Sequence, residues 1–179
     1  MKLNAKQLRV TPPAEGELER TERRPIRLVL DNVLDTYNIG GLFRLAEAVA
    51  AAELILCGGS ETPPSSRIHK AAVGTEKWVP WRYFPSAEEA VKQLRTEIAG
   101  LKVIAIEQDS RAEKLEEAAK LARAGNPIAI VVGHETDGVS KEVLDMADMI
   151  AEIPMWGVNK SLNVIVSAAI AVYGIQKSD

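Results

Sequence analysis

The sequence predicts an α/β fold in which a parallel sheet carries helices on both faces. Short runs rich in Val, Ile and Leu alternate along the chain with helical patterns of about a dozen residues, which is typical of βαβ units. The run PIAIVVG is apolar almost throughout, as expected for a parallel strand buried on both faces. At 179 residues and 46% hydrophobic content, the chain is long enough for one sizeable core. We therefore expect one domain over residues 26–179, preceded by an arm over residues 1–25.

The arm is predicted from paired prolines, many charges and few apolar residues, which are typical of a tether. Residues 1–27 contain seven Lys or Arg and four Glu, a local charge of +3, whereas the whole chain carries −3. A basic arm can contact nucleic acid, and a solvated, partly flexible terminus fits the same composition equally well. The overall acidity argues against broad non-specific binding to nucleic acid.

Strands and helices follow from the apolar runs and from the residues that flank them. Ser86 and Glu89 form a capping box, and Gly100 and Gly125 close the two charged helices. A Ser/Pro-rich loop is expected over residues 58–66, and a short segment of unassigned structure over residues 69–77. Strands are predicted at 27–31, 53–57, 78–84, 101–106, 127–133 and 150–153, and helices at 41–52, 86–100, 112–124, 141–146 and from Ser161 onward.

The remaining composition limits the class of protein. The single cysteine, Cys57, closes an apolar run, so a small buried side chain is expected rather than a nucleophile. Without CxxC pairs or a second histidine near His134, no metal site is predicted. The N-terminus lacks the apolar core of a signal peptide, and the uncharged run 161–176 is too short and polar to span a bilayer. A cytoplasmic protein is expected.

Three turns that follow predicted strands carry unusual residues, and ligands bind at this edge of open α/β sheets. After the first strand come Asn38, Gly40, Gly41 and Arg44, whose glycines would let backbone approach a ligand closely. An ordinary turn with a surface arginine would look much the same. The spacing of a dinucleotide-binding GxGxxG motif and the GK[ST] of a phosphate loop are both absent.

The second turn is GHETDG, residues 133–138, and the third is PMWGVNKSLNV, residues 154–164. The second is also compatible with a simple turn, because Asp-Gly is a common turn pair. The third joins an irregular loop to the least charged helix of the chain. We expect Ser161 to cap that helix and the free N–H groups there to bind a polar ligand.

Together the three stretches resemble the signature motifs of the SpoU/TrmH-like branch of the SPOUT-class RNA methyltransferases, in the family's order. The correspondence covers Asn-x-Gly-x-x-x-Arg at 38–44, Gly-x-Glu-x-x-Gly at 133–138, and Pro-Met-x-Gly with Ser-Leu-Asn-Val at 154–164. HKAAVGTEKWVPW resembles the weaker segment that the family carries between its first two motifs. The chain departs from the pattern at Gly41, where the family usually has alanine, at Ala51, near which the family often has glycine, and before Asn38, where proline is missing.

The resemblance implies a C-terminal trefoil knot, S-adenosylmethionine bound in that knot, a homodimer with the active site beside the interface, and methylation of an RNA ribose 2′-hydroxyl. Arg44 matches the family's catalytic arginine. We expect it to stabilise developing negative charge, because a guanidinium is a poor base. Carried over by motif, the reacting side comprises Asn38, Arg44, Glu135, Ser161 and Asn163, and the cofactor site comprises Gly133, Ile153, Met155, Gly157 and Leu162.

Three functions compete at this point. The first is S-adenosylmethionine-dependent 2′-O-methylation of tRNA or rRNA, with tRNA favoured because no added RNA-binding domain is seen beyond the arm. The second is a non-catalytic RNA-binding protein with the same fold, against which the retained Arg44, Asn163 and glycines argue. The third is an unrelated α/β enzyme acting on a small nucleotide, for which the basic arm would have no purpose.

Overall fold

Seven parallel strands form one sheet in the computed structural model, which describes residue 7, residues 11–123 and residues 125–176. Every pair of neighbouring strands runs parallel. The order across the sheet is β3-β2-β1-β6-β4-β7-β5. The strands are β1 (Arg24–Asp31), β2 (Ala51–Cys57), β3 (Trp81–Phe84), β4 (Lys102–Ile106), β5 (Glu113–Lys114), β6 (Ile128–Val132) and β7 (Met149–Glu152).

Helices cover both faces of the sheet, as predicted. Successive residues of β1 point to opposite sides, so Leu28 and Leu30 join one apolar cluster and Val29 joins another. The first cluster includes α2, α3, α5 and α7, and the second includes α4 and α6. The helices are α1 (Glu17–Arg20), α2 (Thr36–Ala48), α3 (Ser66–Ala72), α4 (Ala87–Glu97), α5 (Leu115–Arg123), α6 (Lys141–Met146) and α7 (Val164–Gln176), with a 3-10 turn at Thr75–Lys77.

The first long helix begins earlier than predicted. The Asp35 side chain accepts a hydrogen bond from the Tyr37 N–H at 2.7 Å, so α2 starts at Thr36 rather than at residue 41. Residues 38–41 are therefore the first turns of a helix and not a loop before it. The helix also ends sooner, because residues 51 and 52 already belong to β2.

Other boundaries also differ from prediction: for example, β1 begins at Arg24 rather than at residue 27, and the helix expected to reach residue 100 ends at Glu97. The strand expected over 78–84 begins only at Trp81, because residues 75–77 form a tight turn before it. The helix expected from residue 112 begins at Leu115, because Glu113 and Lys114 extend the edge of the sheet by pairing with β7. The helix at 141–146 is confirmed. So is the Ser86 cap, whose hydroxyl accepts the Glu89 N–H at 3.2 Å.

The end of the arm is attached to the domain before residue 25. Arg23 donates hydrogen bonds to the carbonyls of Ala51, at 3.1 Å, and Trp78, at 2.8 Å, and its guanidinium lies 3.3 Å from Glu47. The next residue, Arg24, opens β1. The predicted basic residues Lys2, Lys6 and Arg9 lie outside the described residues.

Candidate active site

A cavity of about 430 Å³ opens at the carboxyl ends of β4, β6 and β7, at the edge of the sheet predicted to bind a ligand. Loops from the second and third motifs form its walls, together with the residues that follow β4. Seven of the ten predicted site residues line it: Gly133, Glu135, Ile153, Met155, Ser161, Leu162 and Asn163.

Asn38 connects the three motifs, although it is buried and does not itself line the cavity. Its side-chain amide donates to Glu135 Oε1 at 2.9 Å, and its oxygen accepts from Asn163 Nδ2 at 3.0 Å. These residues lie 97 and 125 positions from Asn38 in the sequence. One amide thus fixes the second and third motifs relative to the first.

Glu135 also binds the segment that leads into α2. Its carboxylate accepts the N–H groups of Leu34, at 3.2 Å, and Asp35, at 3.1 Å, in addition to the Asn38 amide. Partial burial alone would raise the pKa of Glu135, but these hydrogen bonds outweigh it and hold the pKa below the usual glutamate value. The site therefore contains a carboxylate that is held ionised and whose position is set by several donors.

Gly133 lines the cavity, but the structure gives a different reason for a glycine there than close approach to a ligand. A Cβ at residue 133 would lie 2.0 Å from the carbonyl carbon of Gly138, because the turn folds back on itself. His134 closes the same turn: its backbone pairs with Gly138, and its Nδ1 accepts the N–H groups of Thr136 and Asp137 at 3.1 Å. His134 therefore acts as a hydrogen-bonding residue that shapes the turn.

Glu107 is a cavity residue that the sequence analysis missed. Its two carboxylate oxygens accept the N–H of Gln108 at 2.9 Å and the N–H of Val139 at 2.8 Å, which ties the end of β4 to the turn after β6. The Gln108 side chain donates to the Lys160 carbonyl, and Lys160 Nζ donates to the Met155 carbonyl at 2.6 Å. A Glu-Gln pair directly after a buried strand was the available signal, by the same rule that marked the other turns.

Arg44 and Gly157 are the predicted site residues that stand apart. Arg44 is exposed on α2, does not line the cavity, and has no hydrogen-bond or ion-pair partner within the ranges the structure describes. Gly157 lies in the exposed loop after β7 and is likewise absent from the cavity wall. This part of the cofactor prediction therefore has no support from the geometry.

The glycines of the first motif allow close packing between helices. A Cβ on Gly40 would lie 2.4 Å from the Ala71 Cβ of α3, and one on Gly41 would lie 2.4 Å from Ile165 Cδ1 of α7. Ile165 of α7 therefore occupies the space that an alanine side chain at residue 41 would need.

The cap of α7 is Asn163 and not Ser161. The helix starts at Val164, and the Asn163 side-chain oxygen accepts the Ile165 N–H at 2.8 Å. Ser161 lies in a preceding turn, where its N–H donates to Asn159 at 3.0 Å. Its side chain remains exposed at the cavity wall.

Cys57 does not line this cavity. Cys57 is fully buried, and its burial raises the pKa of the thiol to about 12, which confirms the prediction of an inert side chain.

Among the described residues, no group of three or more His, Cys, Asp or Glu could hold a metal ion. Within the same residues, no helix is long and apolar enough to cross a membrane.

The part of the chain that contains the three motif loops matches a known protein family. Residues 25–173 match the family model described as the SpoU rRNA methylase family, which is most of the chain. The chain belongs to the SpoU rRNA methylase family. Family membership makes it an RNA ribose 2′-O-methyltransferase with S-adenosylmethionine as methyl donor, and it excludes the unrelated nucleotide enzyme considered above.

Relatives of this SpoU methylase share both its sequence and its fold. A tRNA (guanosine(18)-2′-O)-methyltransferase of Thermus thermophilus is 29% identical over 161 residues, which are 90% of this chain and 79% of that protein. The A. aeolicus TrmH/SpoU tRNA modifying enzyme superposes with a TM-score of 0.76 at 25% identity, over 97% of this chain and 81% of that one. An AdoMet-bound rRNA methyltransferase from Sinorhizobium meliloti, at 24% identity, shares the fold with a TM-score of 0.77, over 88% of this chain and 57% of that one.

The cavity of the SpoU methylase suits its methyl donor. Its volume lies in the usual range for a small-molecule site, roughly 300–1,000 Å³. Ile106, Val132 and Leu162 offer apolar surface for a purine ring, and the turns after β6 and β7 bring backbone N–H and C=O groups to the same space. Glu107 and Glu135 place negative charge beside it, which is compatible with a cationic sulfonium and amine.

Proposed function

We propose that the 430 Å³ cavity is the S-adenosylmethionine site and that the exposed face of α2 beside it receives the ribose of the RNA. The observation that supports this assignment is the chain of hydrogen bonds Glu135–Asn38–Asn163, which holds the α2 start against two cavity loops. Arg44 lies on the same helix as Asn38. The hydrogen bonds that hold this helix against the cavity loops therefore also set the position of the Arg44 backbone relative to the cavity.

The methyl donor supplies an electrophilic methyl group on a sulfonium, and the chain has to present the ribose oxygen and stabilise the charge on it. As the new O–CH3 bond forms, the S–CH3 bond breaks with its electron pair kept on sulfur, and the 2′-hydroxyl proton passes to solvent water. We assign to Arg44 the stabilisation of the negative charge that develops on the 2′-oxygen in this step. Asn38 and Glu135 act as positioning residues, because their hydrogen bonds are already used within the protein. Ser161 and Asn163 face the cavity from the loop before α7.

The cofactor contacts proposed here are Gly133, Ile153, Met155 and Leu162, all of which line the cavity. Gly157 is retained only as a loop residue, because it does not reach the wall. The trefoil knot is a further proposal. It is supported by α7, which follows β7 and yet packs against α2, and by the Gln108–Lys160 hydrogen bond, which holds the loop before α7 across the end of β4. A crystal structure that traces the chain through the loops after β4 and β6 tests it.

A homodimer is part of the proposal. One side of α7 is buried in its own core through Val164, Ala168 and Val172. The other side exposes Val166, Ile170 and Tyr173, which are 45%, 39% and 48% accessible and follow one another at helical spacing. A second copy of the chain would cover this strip and place the active site beside the interface.

Transfer RNA is the proposed substrate. The two tRNA-modifying relatives are matched over about four fifths of their length, whereas the rRNA methyltransferase is matched over 57%. We also propose a cytoplasmic location, which suits a protein that acts on tRNA. The proposed arm over residues 1–25 would add contacts to the RNA backbone, while residues 26–179 form the catalytic domain.

The test is incubation with labelled S-adenosylmethionine and separated tRNA and rRNA pools, followed by mapping of the methylated nucleotide. Label on a ribose of tRNA is the expected result. Label only on rRNA would overturn the choice of substrate. Cofactor binding by calorimetry without transfer to either pool would instead favour the non-catalytic RNA-binding protein.

A further inference from the structure

A second cavity, of about 500 Å³, lies apart from the cofactor site and shares no residue with it. The rings of Pro63, Pro64 and Trp81 contribute apolar surface, and His69, Glu76 and Lys77 contribute the polar part. Its walls come from the loop before α3, from α3 itself, from the 3-10 turn and from the start of β3. Helix α3 packs directly on α2, the helix that carries Arg44, through the contact between Gly40 and Ala71.

The distinctive feature of this cavity is the carboxylate of Glu76. The residue is only 7% exposed, and its Oε1 lies 2.6 Å from Nδ1 of His69. Its other oxygen, Oε2, is buried and has no hydrogen-bond partner within the described parts of the chain. Buried carboxylate oxygens are nearly always hydrogen-bonded, so this oxygen marks a place for a donor from a bound group.

The surroundings of the carboxylate favour nucleic acid. Arg67 and Lys70 are exposed on α3, and Lys77 is exposed at the cavity itself. Exposed cations attract the phosphate backbone of RNA, and flat apolar side chains such as tryptophan stack on bases. The cavity therefore combines apolar ring surface, a lysine in its wall and one buried hydrogen-bond acceptor, with two further cations exposed on α3.

We propose that this cavity binds a guanine base, supplied by the RNA substrate. Guanine is the base whose Watson–Crick edge presents two adjacent donors, the N1–H and the exocyclic amino group, without an acceptor between them. An ionised carboxylate has only acceptor sites, so it pairs with that edge and repels the bases that place a carbonyl or ring nitrogen beside their donor. Glu76 Oε2 accepts one donor, and Oε1 can accept the second while it remains bound to His69.

The base-binding step is tested first with free nucleotides, which do not require the proposed methyl transfer. The indole N–H signal of Trp81, assigned with Trp81→Phe, is followed by NMR during titration with GMP, IMP and UMP. We expect the signal to shift on addition of GMP. IMP lacks the amino group, so its affinity should be about 10-fold lower. UMP should leave the signal unchanged. No shift with GMP, or equal shifts with all three, would overturn the proposal without any variant having to fold.

Glu76→Gln identifies the acceptor, and Glu61→Gln is the matched control, because Glu61 is exposed on the neighbouring loop and loses the same charge. We expect Glu76→Gln to weaken GMP binding and to raise the KM for unfractionated tRNA by about 10-fold, while kcat and the Kd for S-adenosylmethionine stay the same. Loss of a carboxylate from the same cavity wall as Lys77 would by electrostatics alone tighten RNA binding. An unchanged or lowered KM would therefore show that Oε2 does not contact the RNA.

The measurement with tRNA rests on the proposed function, whereas the nucleotide titration does not. GMP binding combined with an unchanged KM for tRNA would overturn RNA as the source of the base and assign the cavity to a free nucleotide. Absence of methyl transfer by the wild-type protein would instead count against the proposed function, with the titration still deciding whether the cavity binds guanine.

Discussion

Arg44 is exposed on α2 and, within the described residues, has no partner that would hold its guanidinium in the free protein. If it stabilises charge that develops only in the transition state, Arg44→Ala should lower turnover by about 10²-fold or more and leave cofactor affinity almost unchanged. Arg44→Lys should recover little, because a point charge does not reproduce the planar fork of donors. Methyl-transfer kinetics and calorimetry measure both quantities. Lys141→Ala, at another exposed cation, should leave both unchanged.

Glu135 differs from Arg44 because its contacts are already made inside the protein, and its lowered pKa follows from them. A carboxylate with a lowered pKa in the folded state stabilises the fold at pH values above the ordinary glutamate pKa. That contribution is lost as the pH falls through the lowered value. The difference in unfolding free energy between wild type and Glu135→Gln should therefore be largest at pH values above the ordinary glutamate pKa and shrink as the pH falls below it.

Urea unfolding at several pH values measures this difference, with Glu61→Gln as a control at an exposed glutamate. A difference between wild type and Glu135→Gln that stayed constant across the range would mean that the carboxylate does not need its charge to hold α2. Asn38 would then be the more important of the two positioning residues.

At the scale of helices, the paired glycines of α2 make different contacts. A Cβ on Gly40 would come within 2.4–2.9 Å of Ala71 Cβ and of the backbone of α3, which cannot yield without moving that helix. A Cβ on Gly41 would meet the side chain of Ile165 and no backbone, with Cδ1 at 2.4 Å and Cγ1 at 3.0 Å. We expect Gly40→Ala to lower the unfolding free energy by about 2 kcal/mol or more.

Gly41→Ala should be close to neutral, because the higher helix propensity of alanine, worth about 1 kcal/mol, offsets a shift of Ile165. The two single variants are matched in chemistry and position, and denaturant unfolding compares them directly. Equal losses would indicate that α7 is held as rigidly against α2 as α3 is.

For the whole molecule, the apolar strip on α7 predicts the oligomeric state. Light scattering at micromolar concentration should give a dimer mass for the wild-type protein. Ile170→Glu should give a monomer, because it would place an unpaired charge in an apolar interface. Tyr83→Glu is the matched control, since Tyr83 is similarly exposed, at 48%, but lies on β3. A monomeric wild-type protein would contradict the proposed interface.

The arm provides a separate prediction at the same scale. Arg23 is anchored to the domain, so a deletion that tests RNA contacts has to stop before it. Deleting residues 1–13 removes Lys2, Lys6 and Arg9 and no acidic residue. RNA affinity should fall, and the slope of its logarithm against that of salt concentration should decrease by up to about 2–3. Turnover at saturating RNA should remain nearly intact, and a loss of turnover like that of Arg44→Ala would show that the arm takes part in catalysis.

The sequence by itself determined the α/β class and most of the cavity. Nearly continuous apolar runs such as β6 specify buried parallel strands, and the turns after parallel strands meet at one edge, so motifs far apart in the chain could be expected together. Local signals were equally reliable where a short-range contact decides the outcome, as at the Ser86 cap and the helix over residues 141–146.

Only the tertiary structure decided what the individual residues contact. At Gly40, Gly41 and Gly133, residues from α3, α7 and the same turn fill the space that a side chain would need. The link between Asn38, Glu135 and Asn163 joins residues about a hundred positions apart. The Oε2 oxygen of Glu76, which has no hydrogen-bond partner among the described residues, is likewise defined by its three-dimensional surroundings. Composition and periodicity report which face of an element is apolar, whereas packing distances depend on all the elements that meet at a point.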